Sequence, residues 1–368
     1  MTTQSSRRLP VTVVTGFLGA GKTTLVRHLL LNSQQRLAVL VNEFGEVGID
    51  GDLLRSCGFC AEEELAGRLV ELANGCLCCT VQDDFLPTMQ SLLRRADQLD
   101  GILVETSGLA LPQPLLEAFR WPQIRSSTWV NGVVTVVDGE ALANGSVVTD
   151  PAALEAQRLA DPSLDHATAI DALFEDQLAS ADLVLVSRAD RLTAADLLRV
   201  QQRLGPSIRA GTAVLPMERG AISPELMLGL ESTASPMARP AHDHHHHGHD
   251  HDHGHDHGHG HDHEHGHDHA HVPIESAVLR LNGDLDRQTL ETRLLELIRS
   301  HALIRVKGRL RQIGKARSLN IQAVGPRLES WYDTGADSQD PAEPGLDLVV
   351  LGFALQPDQL QQTLAQGF

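Results

Sequence analysis

Up to Pro216 the chain alternates short apolar runs with stretches of helical periodicity. Val11–Thr15, Leu37–Val41, Ile102–Glu105, Val133–Asp138, Leu183–Ser187 and Val214–Pro216 are rich in Val, Leu and Ile and mostly apolar at successive positions. A strand that is apolar on both sides is buried on both faces, the pattern of a parallel sheet covered by helices. Helices are predicted at Lys22–Leu31, Phe85–Ala96, Pro114–Phe119, Ile170–Ser180 and Ala194–Leu204, with a short strand at Leu69–Leu72. Met217 to Pro240 is mixed in character, and His242 to His271 is almost entirely His, Asp and Gly. From Ile274 regular patterning resumes. Strands are predicted at Ser276–Asn282, Ile304–Arg309, Leu319–Val324 and Leu348–Leu355, and helices at Asp286–Arg299 and Pro357–Gln366. The expected architecture is α/β with a mostly parallel sheet over residues 1–216, a linker with a His/Asp tract over 217–272, and a small α+β domain with an antiparallel sheet over 273–368.

Charge narrows the partners. The net charge is −18, and seven of the acids lie between Ala241 and His271, leaving −11 for the rest. A chain this acidic is a poor nucleic-acid binder, because that binding needs Lys and Arg to neutralise phosphates. No apolar run approaches the ~20 residues that span a bilayer, and Met1 to Pro10 lacks the apolar core of a secretory signal. The expected location is therefore cytoplasmic, with no membrane partner. All five cysteines fall between Cys57 and Cys79. In a reducing compartment such clustering favours metal or redox chemistry over disulfides.

The first chemical signature is Gly16-Phe17-Leu18-Gly19-Ala20-Gly21-Lys22-Thr23, followed by Thr24. It fits the P-loop pattern G-x-x-x-x-G-K-S/T, between a predicted strand and a predicted helix. Gly16, Gly19, Ala20 and Gly21 would curl the backbone so that N–H groups face phosphate oxygens, with the helix dipole behind them. Lys22 would reach the β- and γ-phosphates, and the Thr23 hydroxyl would ligate Mg²⁺. The competing reading is a Gly-rich turn before an ordinary helix. The strand Ile102–Glu105 supplies the second half: Glu105 to hold the Mg²⁺ shell, and Gly108 to approach the γ-phosphate.

Base recognition is expected at Ser187-Arg188-Ala189-Asp190. GTPases commonly carry Asn-Lys-x-Asp there, the Asp accepting from guanine N1–H and N2–H₂. Asp190 keeps that role, Ser187 and Arg188 depart from it, and Arg188 can lie along the base plane. Guanine is favoured over adenine. Alternatively Asp190 or Thr193 is simply an N-cap.

Cys76-Leu77-Cys78-Cys79 follows Asn74-Gly75 in a predicted loop. Thiolates at this spacing can converge on one Zn, Cu(I) or Co-type ion, with a fourth ligand from elsewhere. Buried structural cysteines or a redox pair are the alternatives. Cys57 and Cys60 form a second C-x₂-C that can join this site, form another, or be coincidental. Of the 20 histidines, 17 lie in the tract, among them His244, His245, His246, His247 and His249. Such a segment buries no core, is expected to be disordered without ligand, and offers neutral imidazoles for collecting ions.

Together these segments resemble the CobW family, among P-loop metal-handling GTPases that include the HypB and UreG types. The resemblance covers nearly the whole chain. It rests on Thr15 to Thr24, Asn42-Glu43-Phe44-Gly45-Glu46, Asn74 to Cys79, and Glu105-Thr106-Ser107-Gly108, and is strongest to the cobalamin branch through Val47 to Asp52, Cys57, Cys60, Thr80 to Met89 and Leu109 to Pro114. It implies a GTPase using GTP and Mg²⁺, whose nucleotide state gates a site for Co²⁺ or Zn²⁺. Glu43 would join Cys76, Cys78 and Cys79 at the metal, and Glu46 would act with Lys22, Thr23 and Glu105 in hydrolysis. It further implies delivery of cobalt to a chelatase for cobalamin synthesis, and a nucleotide-dependent homodimer. A zinc chaperone or metal store, an ATP-dependent P-loop enzyme such as a kinase, and a docking module remain open.

Overall fold

The computed structural model describes residues 8–41, 69–71, 85–160, 170–229, 274–332 and 343–366. Seven parallel strands form one sheet in the order β3-β2-β4-β1-β5-β6-β7: β1 (Leu9–Thr15), β2 (Leu37–Val41), β3 (Leu69–Glu71), β4 (Gly101–Glu105), β5 (Thr128–Asp138), β6 (Leu183–Ser187) and β7 (Ala213–Pro216). The central strands are buried along their whole length, as expected of apolar runs with no polar alternation. Alternate residues still choose opposite layers. Val11, Val13, Ala38 and Leu40 enter one core with Phe85, Met89, Leu115 and Phe119, while Val14, Val39 and Val41 enter the other.

The helices in chain order are α1 (Lys22–Asn32), α2 (Leu86–Leu93), α3 (Pro112–Ala118), α4 (Pro122–Arg125), α5 (Gly139–Ala143), α6 (Pro151–Ala160), α7 (Ile170–Ser180), α8 (Ala194–Leu204) and α9 (Pro224–Leu228). In α1 the buried positions are Lys22, Leu25, Val26 and Leu29, one face at helical spacing. The strand β1 lies between β4 and β5, so its carboxyl end opens where the sheet's winding reverses, the usual crevice for a ligand in such folds.

Residues from Ile274 onward form a five-stranded antiparallel sheet, β11-β10-β9-β12-β8. Its strands are β8 (Ile274–Asn282), β9 (Arg305–Arg311), β10 (Leu319–Val324), β11 (Arg327–Tyr332) and β12 (Gly345–Phe353). The helices α10 (Arg287–Ser300) and α11 (Pro357–Ala365) cover one face, burying Leu290, Leu294, Leu297, Leu360 and Leu364 against Leu279, Leu310, Ile321 and Leu348.

Two departures from the sequence expectations have clear causes. The strand β5 starts at Thr128, earlier than the apolar run, because its polar residues are satisfied: Thr128 donates to the Ile124 carbonyl at 3.2 Å and Asn131 Nδ2 to Thr12 Oγ1 at 2.9 Å. Residues 217–229, expected to open the linker, pack on the first sheet instead. Met217, Leu226, Met227 and Leu228 are buried in its core.

The two sheets meet over a mixed surface. Ile304 and Leu351 join the core beneath α1. The buried Arg305 guanidinium donates from Nε to the Leu226 carbonyl at 2.8 Å, and from Nη2 to Asn131 Oδ1 at 3.0 Å and the Met227 carbonyl at 3.1 Å. Burial lowers its pKa to about 9. Asp182, fully buried, pairs with Arg209 of the first unit and with Arg327 of the second at 2.5 Å. Trp129 and Trp331 face each other with ring centroids 5.2 Å apart.

Candidate functional site

The strand β1 runs directly into the phosphate loop. Gly16, Gly19 and Gly21 take φ values of 136°, 72° and 104°, which side-chain-bearing residues rarely adopt. At Gly16 a Cβ would also lie 2.1 Å from the Val136 carbonyl oxygen. The helix α1 begins with Gly21 as N-cap and has no side-chain cap, so its first N–H groups are presented to the loop mouth. Lys22 is buried, and its Nζ donates to the Phe17 carbonyl at 3.1 Å, folding back over the loop.

Thr23 Oγ1 donates to Glu105 Oε1 at 2.7 Å. Glu105 is buried at the end of β4. A hydroxyl and a carboxylate side by side at a phosphate loop are hard oxygen donors, the set that suits Mg²⁺. The segment after Glu105 passes against the loop: a Cβ on Gly108 would lie 2.7 Å from the Leu18 nitrogen. Thr106 holds the approach, its N–H donating to the Val14 carbonyl at 3.0 Å and its hydroxyl to Thr15 Oγ1 at 3.0 Å. Gln177, buried on α7, donates from Nε2 to the carbonyls of Gly108 and Ala110, both at 3.1 Å. A buried amide in this position fixes the path of the chain behind Gly108.

At the base end, Ser187 closes β6 and Arg188 takes the left-handed conformation with φ 55°. The Arg188 guanidinium does not lie open for a base. It pairs with Asp138, donates to Thr149 Oγ1 at 2.9 Å and reaches the Gly19 carbonyl at 3.2 Å. Thr149 also bonds Asp138, whose other oxygen accepts from Ala141 N–H at the start of α5. The Ser187 hydroxyl is buried, with no hydrogen-bond partner among the described residues, and stands 4.0 Å from where a Cβ on Gly21 would lie.

Asp190 is released from capping duty. Thr193 caps α8 in a reciprocal box with Asp196: Asp196 N–H donates to Thr193 Oγ1 at 3.2 Å, and Thr193 N–H to Asp196 Oδ2 at 2.9 Å. Asp190 faces Arg219 across 4.0 Å. Residues 217–221 form a wall here, with Ala189 N–H donating to the Met217 carbonyl at 3.3 Å. Gly220 approaches the P-loop helix so closely that a Cβ would lie 2.8 Å from the Thr24 carbonyl oxygen.

The structure thus brings together Gly16, Gly19, Ala20, Gly21, Lys22, Thr23, Glu105, Gly108, Ser187 and Arg188, with Thr24 touched from behind and Asp190 facing Arg219. Sequence reading missed Asp138, Thr149, Gln177 and the Met217–Ala221 wall. Glu43, Glu46, Cys57, Cys60, Cys76, Cys78, Cys79 and the histidines from His244 to His249 lie outside the described residues. Among the described residues no group of three His, Cys, Asp or Glu side chains could hold a metal ion, and no helix is long and apolar enough to cross a membrane.

Each of the two units matches a known family. The CobW/HypB/UreG nucleotide-binding domain family matches residues 10–216, and the family of the cobalamin synthesis protein CobW C-terminal domain matches residues 274–367. A protein of Pseudomonas aeruginosa named zinc chaperone CobW is 47% identical over 330 residues, covering 89% of this chain and 83% of that protein. A protein of Sinorhizobium sp with the same name is 41% identical over 350 residues, covering 94% of this chain and 93% of its own. Zinc chaperone YeiR of Escherichia coli is 32% identical over 237 residues, covering 64% of this chain and 63% of that protein.

Proposed function

The chain belongs to the CobW family, and on that premise we propose that it is a zinc chaperone whose metal site is governed by GTP binding and hydrolysis. The observation that carries the nucleotide half is the contact between Thr23 and Glu105 at the mouth of the P-loop, with Lys22 folded over the same loop. Those residues would hold a Mg-nucleotide, whose metal ion would offset phosphate charge. Gly108 and the segment pinned by Gln177 stand where the terminal phosphate would be sensed. Asp190 is the acceptor for guanine. Arg188, held by Asp138 and Thr149, acts by fixing the carbonyl of Gly19.

The metal half rests on thiolate chemistry and on kinship. Cys76, Cys78 and Cys79 with Glu43 make a thiolate-rich set that suits zinc. Cobalt and a cobalt chelatase were the expectation from family resemblance. Each similar relative described above is named for zinc, which favours the alternative held open beside cobalt. The client is then a protein that receives zinc. GTP would draw the segment with Glu43 and Glu46 and the cysteine loop into one arrangement, and hydrolysis, assisted by Glu46, would relax it and free the ion. Linkage requires that zinc tighten GTP binding by the factor by which GTP tightens zinc binding.

The test is a titration of zinc and cobalt into protein lacking residues 242–271, with GDP, with a non-hydrolysable GTP analogue, and without nucleotide. Tighter zinc binding in the analogue complex, lost in Lys22→Ala and in Cys78→Ser, supports the reading. Equal affinity in all three states would refute gating, and a preference for cobalt in the analogue state would restore the cobalt reading.

A further inference from the structure

Arg305 to Arg317 contain six cations and no acid, in a chain with 30 Lys+Arg against 48 Asp+Glu. Two of the chain's three lysines, Lys307 and Lys315, lie in this stretch. In β9, Arg305, Lys307, Arg309 and Arg311 occupy alternate positions and share one face, while Val306 and Leu310 point into the core beneath α10 and α11. On β9 the first unit covers the Arg305 end, and on the edge strand β11 it also covers Trp331, which lies in the Arg309 row and packs against Trp129 and Arg8. Arg309 is exposed, Lys307 and Arg311 are half-buried, and the turn beyond them exposes Lys315 and Arg317.

The neighbouring strands extend this face. Lys307 stands opposite Gln322 and Val349, and Arg309 opposite Asn320 and Asp347. On the edge strand β8, Arg280 is 58% exposed opposite Asp347, and Val278 is 45% exposed opposite Val349. Among the described residues the acids nearby are few, Glu343 being one, its carbonyl accepting from Arg311 Nε at 3.1 Å. Asp347 pairs with Arg311 at 2.8 Å and with Arg280 at 3.5 Å, Asp284 accepts the Ile313 N–H, and Glu329 lies two strands from Lys307. The surface therefore carries a positive field on an acidic protein.

The described chain breaks off beside Arg305 and resumes on the edge strand of this sheet. At Gly229 a Cβ would lie 2.6 Å from Arg305 Nη1, and Ile274 re-enters as the first residue of β8, opposite Phe353. Between them, residues 242–271 hold seven acids and no Lys or Arg. A coil the length of the 230–273 segment has an end-to-end reach of ~35 Å, against a sheet breadth of about 20 Å. Both attachments thus hold an acidic segment at high local concentration beside a basic face.

We propose that the His/Asp tract, residues 242–271, docks through its carboxylates on the basic face formed by Arg280, Lys307, Arg309 and Arg311 and on the exposed turn cations Lys315 and Arg317 that follow it, and that metal loading of its imidazoles releases it. Each divalent ion held by neutral imidazoles cancels two of the tract's seven negative charges, so about four ions abolish the attraction. The release step rests on the metal-carrying function proposed above; the docking does not.

A carbodiimide, which joins a carboxyl to a lysine amine with loss of water, tests this on the full chain. In metal-free protein at low salt, peptide mass spectrometry is expected to find an amide between Lys315 or Lys307 and an acid of residues 243–268. Mixing isotope-labelled and unlabelled protein should place both ends in one copy. The yield should fall about tenfold in ~0.5 M salt, where screening shortens to a few ångströms, and similarly in Arg309→Glu/Arg317→Glu, whose folding is checked by circular dichroism. Lysines coupled only to acids outside the tract, or to acids of a second copy or another protein, would overturn the docking. Zinc binding, compared between the full chain and one lacking 242–271, is measured alongside. An amide that persists when zinc fills the tract overturns the release alone. A tract that takes no zinc overturns both the release and its role as a metal store, while a tract–lysine amide still upholds docking.

Discussion

The Arg188 guanidinium donates to the carbonyl oxygen of Gly19 at 3.2 Å, so the loop after β6 is fastened to the phosphate loop. Asp138 and Thr149 hold the same guanidinium from the other side. Charge-assisted hydrogen bonds of this kind contribute about 1.5–3 kcal/mol each. Arg188→Ala is expected to weaken GTP binding by about tenfold, equivalent to ~1.4 kcal/mol. Arg188→Lys should recover only part of this, because an ammonium cannot span Asp138 and Gly19 as a planar fork does. Calorimetric titration with GTP and ATP reads both the loss and the base preference. Unchanged GTP affinity in Arg188→Ala would contradict the coupling.

Gln177 carries the path of the chain behind Gly108. In Gln177→Leu the buried carbonyls of Gly108 and Ala110 lose their donor, at a cost of about 2 kcal/mol. Urea unfolding measures that loss. GTP hydrolysis should slow by about tenfold with little change in KM, since the phosphate loop itself is untouched. A fall in stability with hydrolysis unaltered would make Gln177 structural only.

Acid should loosen the start of α8. The Thr193 hydroxyl, then its N–H, then Arg199 hold the Asp196 carboxyl at about 2, below its ordinary 3.8. A depressed carboxyl favours the folded state fully above 3.8, and that contribution disappears as pH falls through 2. Thr193→Val is expected to move the Asp196 pKa upward, read from its carboxyl carbon shift by NMR. No movement would mean that the hydroxyl does not set it.

Arg305 is the polar centre of the junction between the sheets. Replacing it by Met leaves the Leu226 carbonyl and Asn131 Oδ1 without that donor, while the Met227 carbonyl keeps Thr12 and Asn131. Relief of the buried charge offsets part of the loss, so Arg305→Met should cost about 2 kcal/mol. Denaturant unfolding measures it. A more stable variant would assign the arginine to specificity of docking rather than to stability.

The parts of this molecule written in local patterns were legible in advance. Gly16 to Thr23 announces itself because backbone curvature, lysine and hydroxyl all come from one short segment, and the buried strands do so through unbroken apolar runs. Asp138, Thr149 and Gln177 were not legible, because each acts on a residue far away in sequence and only the sheet order brings them together. The strand β11 alternates Arg327, Glu329 and Trp331 with residues that are themselves only half-buried, so it lacks the apolar face by which strands are recognised. Met217 to Ala221 looked like linker for the same reason: its importance lies in a close approach to Thr24, which no periodicity records.

The hydrophobic cluster beneath α1 includes Ile304 and Leu351 from the second sheet, and the buried Asp182 is shared between Arg209 and Arg327. Neither sheet can lose its packing without exposing the other's interior. Calorimetry should therefore record one melting transition for the whole protein, with equal van't Hoff and calorimetric enthalpies, rather than two successive transitions.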